Sequence, residues 1–244
     1  MIAPVILSPA LAPLPGALAR APDISSAHAV AHQERVQHEG AGPATVLPAF
    51  TMPAQLACLL MADTLTLRRE RRLCGLRQVI RFQVLSANDT LLYRVTVRLN
   101  SPRFKTFFDV DVMDRSNIIV MRCEKKFNTL TVSSPPEHVI GCVVGKSFCL
   151  RPKFDVRDAS QETILGIAGP ALCCSLLNEV DFPVTSRDGC FRVGGIVNLW
   201  NGCCCTGRFA DYDKFEVRFP RDMHVAVKAL LIAAALLIDV SFFE

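Results

Sequence analysis

The sequence predicts an all-β barrel or sandwich that ends in one apolar helix, and three observations predict it. Half of the 244 residues are apolar and only 20% are charged, which excludes a disordered chain. From Arg81 onward, about eleven short runs rich in Val, Ile, Phe and Leu follow one another, separated by turn residues and with no helical period between them. Strand after strand without helices excludes a βαβ arrangement and leaves antiparallel architectures. The chain then closes on Met223 to Ile238, MHVAVKALLIAAALLI, which is rich in helix formers and apolar on every side.

Taken in order, residues 1–52 hold seven of the fifteen prolines and three of the five histidines, with no sustained apolar period, and read as a flexible leader. Its first fifteen residues lack a basic start and are broken by Pro4, Pro9, Pro13 and Pro15, unlike a secretory signal. The domain is expected over 53–244. Leu56, Leu59, Leu60 and Leu67 stand at near-helical spacing, and the basic run Arg68-Arg69-Glu70-Arg71-Arg72 that follows reads as a solvated face or a lipid-phosphate patch. The strands are expected at Phe82–Leu85, Leu91–Val97, Phe107–Val112, Ile118–Met121, Thr129–Val132, Val139–Val144, Phe154–Val156, Thr163–Ile167, Val180–Val184, Phe191–Val197 and Phe215–Phe219. Asn88-Asp89-Thr90, formally a glycosylation sequon, reads as a polar turn, and Pro135-Pro136, Gly169-Pro170 and Asp188-Gly189 mark further turns. The final helix, expected at about 223–239, has an uninterrupted apolar stretch only from Ala229 to Ile238. That stretch is about 15 Å long, roughly half of a hydrocarbon core. Extension from Val225 to Phe243 reaches about 28 Å but places Lys228 and Asp239 within the span. A core helix and a transmembrane helix both stand as readings.

A formal charge of +4 spread along the chain gives no reason to expect a nucleic-acid partner and allows a weak preference for acidic headgroups. Eleven cysteines, an odd number with five in vicinal runs, point to reduced thiols in a cytosolic compartment. No nucleophile–base pair, phosphate loop or paired catalytic carboxylates emerge, so no enzymatic chemistry is expected.

Several segments in order resemble the phospholipid scramblase family. They are Pro53-Ala54-Gln55-Leu56-Ala57-Cys58-Leu59 with Asp63, Phe108 to Asp114 with Arg122, and Pro135-Pro136 before Ile140-Gly141. Pro152-Lys153-Phe154, Ile167 to Pro170, Val180-Asp181-Phe182, Val193-Gly194 with Ile196 and Trp200, Asp211 to Asp222, and Leu237-Ile238-Asp239 with Phe242-Phe243-Glu244 follow. The resemblance implies a closed tubby-like barrel of about twelve strands enclosing the apolar C-terminal helix. It also implies a single-pass membrane protein whose span is that same helix, and the two placements exclude each other. The implied activity is calcium-responsive, ATP-independent, bidirectional movement of phospholipids between leaflets at the plasma membrane, with the bulk of the chain cytoplasmic. Membrane phospholipids are the implied partners, and self-association is allowed. A different class stays open: a peripheral barrel that binds lipid or protein partners and moves no lipid.

The resemblance also places a weak Ca2+ site at Asp211, Asp213, Phe215, Val217, Phe219 and Asp222. Hard cations require oxygen ligands, and here only the three aspartates bring side-chain carboxylates. Phe215, Val217 and Phe219 alternate as a barrel strand should. The family's acylated cysteine cluster is reduced to Cys123, with Cys203, Cys204 and Cys205 as alternative S-acylation candidates for palmitate. The family's nuclear-import lysines are Gly195 and Asn198 here, which implies loss of that route.

Overall fold

The computed structural model describes residues 54–70, 79–100, 106–147, 151–171, 179–199 and 214–243. The leader 1–52 lies outside the described residues. Twelve strands run in chain order: β1 (Thr64–Arg69), β2 (Val79–Ser86), β3 (Leu91–Leu99), β4 (Phe107–Met113), β5 (Ile119–Lys126), β6 (Thr129–Ser134), β7 (His138–Ser147), β8 (Lys153–Asp158), β9 (Thr163–Ala168), β10 (Val180–Ser186), β11 (Arg192–Leu199) and β12 (Lys214–Arg218). Each pairs antiparallel with the next, and β12 closes the barrel on β1, with Leu65 opposite Val217 and Leu67 opposite Phe215.

The side-chain period of two sorts the residues. In β3, Tyr93, Val95, Val97 and Leu99 point inward and are buried, whereas Arg94 and Arg98 point out. Closure removes every edge strand, which an antiparallel sheet of this length would otherwise have to protect. Eight strands leave room for little more than their own side chains, and diameter grows with strand number, so twelve strands enclose a space that must be filled. The filler is the helix α1 (Val225–Ile238), extended by a π-turn at Asp239–Phe243. All of α1 except Val227 is buried, which is the surroundings that its all-round apolar character requires. His224 caps it, its Nδ1 accepting from the Ala226 amide at 3.2 Å.

Asn88-Asp89 forms the β2–β3 turn, with Asp89 at φ 54. At the β10–β11 turn Gly189 adopts φ 73, a conformation glycine takes at no steric cost.

The structure departs from the sequence reading between Leu56 and Leu67. A short 3-10 helix, Ala54–Leu59, buries Leu56 and Leu59, but Leu67 belongs to β1 with Leu65. The Thr64-Leu65-Thr66-Leu67 alternation has the period of a strand, and only β1 can join β2 to β12. Of the basic run, the described arginines are half-buried rather than fully solvated: Arg68 donates to the Gln83 side chain at 2.7 Å and Arg69 turns toward the C-terminal segment, while Arg71 and Arg72 lie outside the described residues.

Candidate functional site

The helix carries two charged residues into the barrel, and each meets partners at one mouth. Lys228, one turn into α1, is 0% exposed. Its Nζ donates to the carbonyl oxygens of Leu59 at 3.0 Å, Leu60 at 3.0 Å, Ala62 at 2.6 Å and Arg221 at 2.8 Å. The end of the 3-10 helix and the turn before α1 thus aim their carbonyls at one point, and the Phe219 ring lies 5.2 Å from the same ammonium. Burial holds the Lys228 pKa below the ordinary lysine range, with Asp63 and Asp222 opposing the shift.

At the other mouth Asp239, 1% exposed, forms an ion pair with Arg69 at the end of β1. Beyond it Phe242 packs edge-on against Phe154 at 6.2 Å, and Phe243 against Phe182 and Phe215 at 6.4 and 5.4 Å. The segment Asp239–Phe243 is therefore held by an ion pair together with aromatic contacts.

The expected calcium segment has a different geometry from a cation-binding loop. Its residues 214–218 are β12, hydrogen-bonded on one side to β1 and on the other to β11. Phe215 and Val217 point into the barrel, and the Phe219 amide donates to the Asp63 carbonyl at 2.9 Å. Asp222 sits exposed in the turn that follows. Asp211 and Asp213 lie outside the described residues. Within the described part, Phe215 and Val217 alternate along β12 with their side chains inside the barrel, and Asp222 stands exposed beyond the strand. Among the described residues no group of three or more His, Cys, Asp or Glu is placed to hold a metal ion.

The family model described as Scramblase matches residues 43–244. This chain belongs to the scramblase family. Human phospholipid scramblase 2 is 36% identical to it over 122 residues, 50% of this chain and 41% of that protein. Human phospholipid scramblase 1 is also 36% identical, over 38% of its length, so the match spans about two-fifths of each of these two relatives. Human phospholipid scramblase family member 5 is 29% identical over 224 residues, covering 83% of this chain and 82% of its own. A crystal structure of an Arabidopsis thaliana protein aligns with 74% of this chain and 94% of its own, at 13% identity and a TM-score of 0.45.

In this scramblase-family barrel the acylation candidate Cys123 lies on β5 with its thiol turned into the barrel and 2% exposed, burial first and the Asp111 charge second pushing its pKa up. Cys203, Cys204 and Cys205 lie outside the described residues. Gly195 and Asn198 are buried within β11 between β10 and β12.

Sequence reasoning flagged Lys228 and Asp239 only as limits to a membrane span. Their partners were missed because they stand far away in the chain: Ala62 is 166 residues from Lys228, and Arg69 is 170 from Asp239. The available signal was the pairing of a charge at each end of an otherwise apolar helix with a basic run at the start of the barrel.

Proposed function

We propose that this chain moves phospholipids between the leaflets of a membrane, bidirectionally and without ATP, while its C-terminal helix stays inside the barrel. The observation that carries the transport reading is the family match over residues 43–244. The interior placement is supported by the partners gathered around Lys228 and Asp239. In a spanning helix both charges would lose those partners and, lying near its two ends, would have to snorkel to the interfaces, at a cost below the roughly 2.5–3.5 kcal/mol that holds at a helix centre.

The slow step in lipid exchange is carrying a polar headgroup through hydrocarbon. A protein can lower that barrier by offering a polar path or by thinning the bilayer. With α1 as barrel core, the chain does this work from the membrane surface, at the cytoplasmic face in this reading. Calcium responsiveness, which the resemblance implies, would draw on the carboxylates of Asp211, Asp213 and Asp222, which flank β12 in the sequence.

A second reading is favoured by the burial of the helix. Val225–Phe243 is long and apolar enough to cross a membrane, yet 83% of its apolar window is buried inside the barrel. In that reading the barrel binds lipid headgroups peripherally and transports nothing.

The test is leaflet exchange of a fluorescent phospholipid in liposomes carrying the full chain, with calcium titrated into the millimolar range and Asp213→Ala run alongside. Exchange above protein-free liposomes supports transport, and its loss in the variant assigns calcium to that carboxylate. Absent exchange from protein that remains vesicle-bound selects the peripheral barrel.

A further inference from the structure

We infer that the outer face of β3–β6 holds a groove for the ammonium–phosphate zwitterion of a phospholipid headgroup, with Phe107 and Phe127 at its membrane-facing end. The inference rests on the reading that phospholipids are what the chain handles. It departs from the expectation of acidic headgroups drawn from net charge.

The groove is a cleft of about 500 Å³. Strand register builds it from two rows of outward side chains. One row runs Arg98, Asp109, Glu124, Thr131, and the next runs Asp111, Arg122, Ser133. The rows are two residues apart, about 6.8 Å along a strand. Both arginines turn to the same carboxylate, Arg98 pairing with Asp111 and Arg122 approaching it at 3.7 Å. Asp109 therefore faces Glu124 directly across β4 and β5 with neither arginine between them. Like charges so placed repel unless a cation is added. The Lys126 ammonium reaches Glu124 from the rim at 2.8 Å, and among the described residues Asp109 and Glu137 have no ion-pair partner.

Two arginines and the rim Lys126 against four carboxylates leave the groove net negative, which disfavours a purely anionic ligand and favours one that brings its own cation. An ammonium fits over Asp109, with Glu124 shared between it and Lys126. A phosphate one short linker away fits Arg122, whose side chain is 63% exposed, with the Thr131 and Ser133 hydroxyls beside it.

The end of the groove explains where the acyl chains would go. Two residues beyond Asp109, Phe107 stacks edge-on with Phe127 at 5.0 Å, although the two are 39% and 68% exposed. Phe127 tips the β5–β6 hairpin at φ 56, a left-handed conformation rare for an aromatic residue. The tip is pinned, since the Gly145 amide donates to the Asn128 carbonyl at 2.7 Å and the Asn128 side chain donates to the Gly145 carbonyl at 3.1 Å. An exposed aromatic pair beside Lys126, one member held in a left-handed turn, suits the bilayer interface, where ring and ammonium each find their medium.

The test measures co-sedimentation of the full chain with vesicles of phosphatidylcholine and phosphatidylethanolamine, or of phosphatidylglycerol. Soluble glycerophosphoethanolamine and glycerophosphoglycerol serve as competitors. The expected result is tighter binding to the amine-bearing vesicles, competed by glycerophosphoethanolamine alone. Asp109→Asn with Glu124→Gln should weaken that competition about tenfold, the loss of roughly one charge-assisted contact, without lowering the melting temperature. Phe127→Gly, which suits the left-handed turn, should weaken vesicle binding about tenfold or more and leave glycerophosphoethanolamine binding unchanged. Equal or tighter binding to phosphatidylglycerol, an unaffected double variant, or capture of a lysine-bearing peptide in place of vesicles would overturn the inference. Leaflet exchange separates the two proposals: exchange without headgroup preference sinks the groove alone, and headgroup binding without exchange sinks transport alone.

Discussion

Replacing Lys228 by Met tests the interior helix because the two placements predict opposite signs. Methionine keeps the length and the apolar stem and removes only the ammonium. Inside the barrel the carbonyls of Leu59, Leu60, Ala62 and Arg221 then lose a donor that now sits 2.6–3.0 Å away. Hydrogen bonds to a charged group contribute about 1.5–3 kcal/mol each, and removing one side of a buried charged cluster costs about 3–5 kcal/mol. The desolvation relieved by losing the charge, together with water reaching the rim carbonyls, sets the expectation at the lower end, about 3 kcal/mol. For a domain of this size that lowers the melting temperature by roughly 6–12 °C. In a spanning helix the same change removes a charge from hydrocarbon and strengthens insertion. The assays are thermal unfolding followed by circular dichroism and alkaline extraction of membranes from expressing cells. An unchanged or raised melting temperature, with more of the variant retained in the extracted pellet, would refute the interior placement.

At the other mouth, Asp239→Asn should destabilise the fold by about 3 kcal/mol, and adding Arg69→Gln should recover about 1–2 kcal/mol of it, measured as a double-mutant cycle in urea. Additive losses would show that the two side chains do not act as a pair. Maleimide should modify the exposed Cys58 and Cys190 in the native protein but reach Cys123 only after unfolding, as read by mass spectrometry. Rapid native modification of Cys123 would contradict its position inside the barrel. Gly194→Ala should cost about 1–3 kcal/mol, because a Cβ there would stand 2.3 Å from the Arg218 carbonyl oxygen and force β11 from β12. Asp188 accepts from the Ser186 hydroxyl and the Cys190 amide, which hold its pKa below the ordinary range. Its contribution is therefore present above the ordinary carboxylate pKa and is lost as pH falls through the lowered value. The protection of the β10–β11 turn amides, taken relative to their intrinsic exchange rate at each pH, should fall as pH drops through the lowered Asp188 pKa and lose that dependence in Asp188→Asn.

Much of the fold was legible because barrel strands and buried helices write their period into the sequence. Phe182 and Val184, or Phe215 and Val217, announce a strand by alternation alone, and α1 announces burial by having no polar face. β1 was hidden by leucines just before it that mimic a helical spacing. Its identity depends on pairing with β12, 150 residues away, as Thr66 does with Glu216. The strand within the expected calcium segment was legible from the alternation of Phe215, Val217 and Phe219, whereas Asp211 and Asp213 lie outside the described residues.

By itself the sequence determined the strand-rich domain, the apolar terminal helix and the family, since each is a local pattern or an ordered series of local patterns. Only the tertiary structure decided what the two charges on that helix are for. Whether Lys228 and Asp239 are liabilities or anchors depends on which carbonyls and which arginine meet them, and those partners are brought near only when β12 closes on β1.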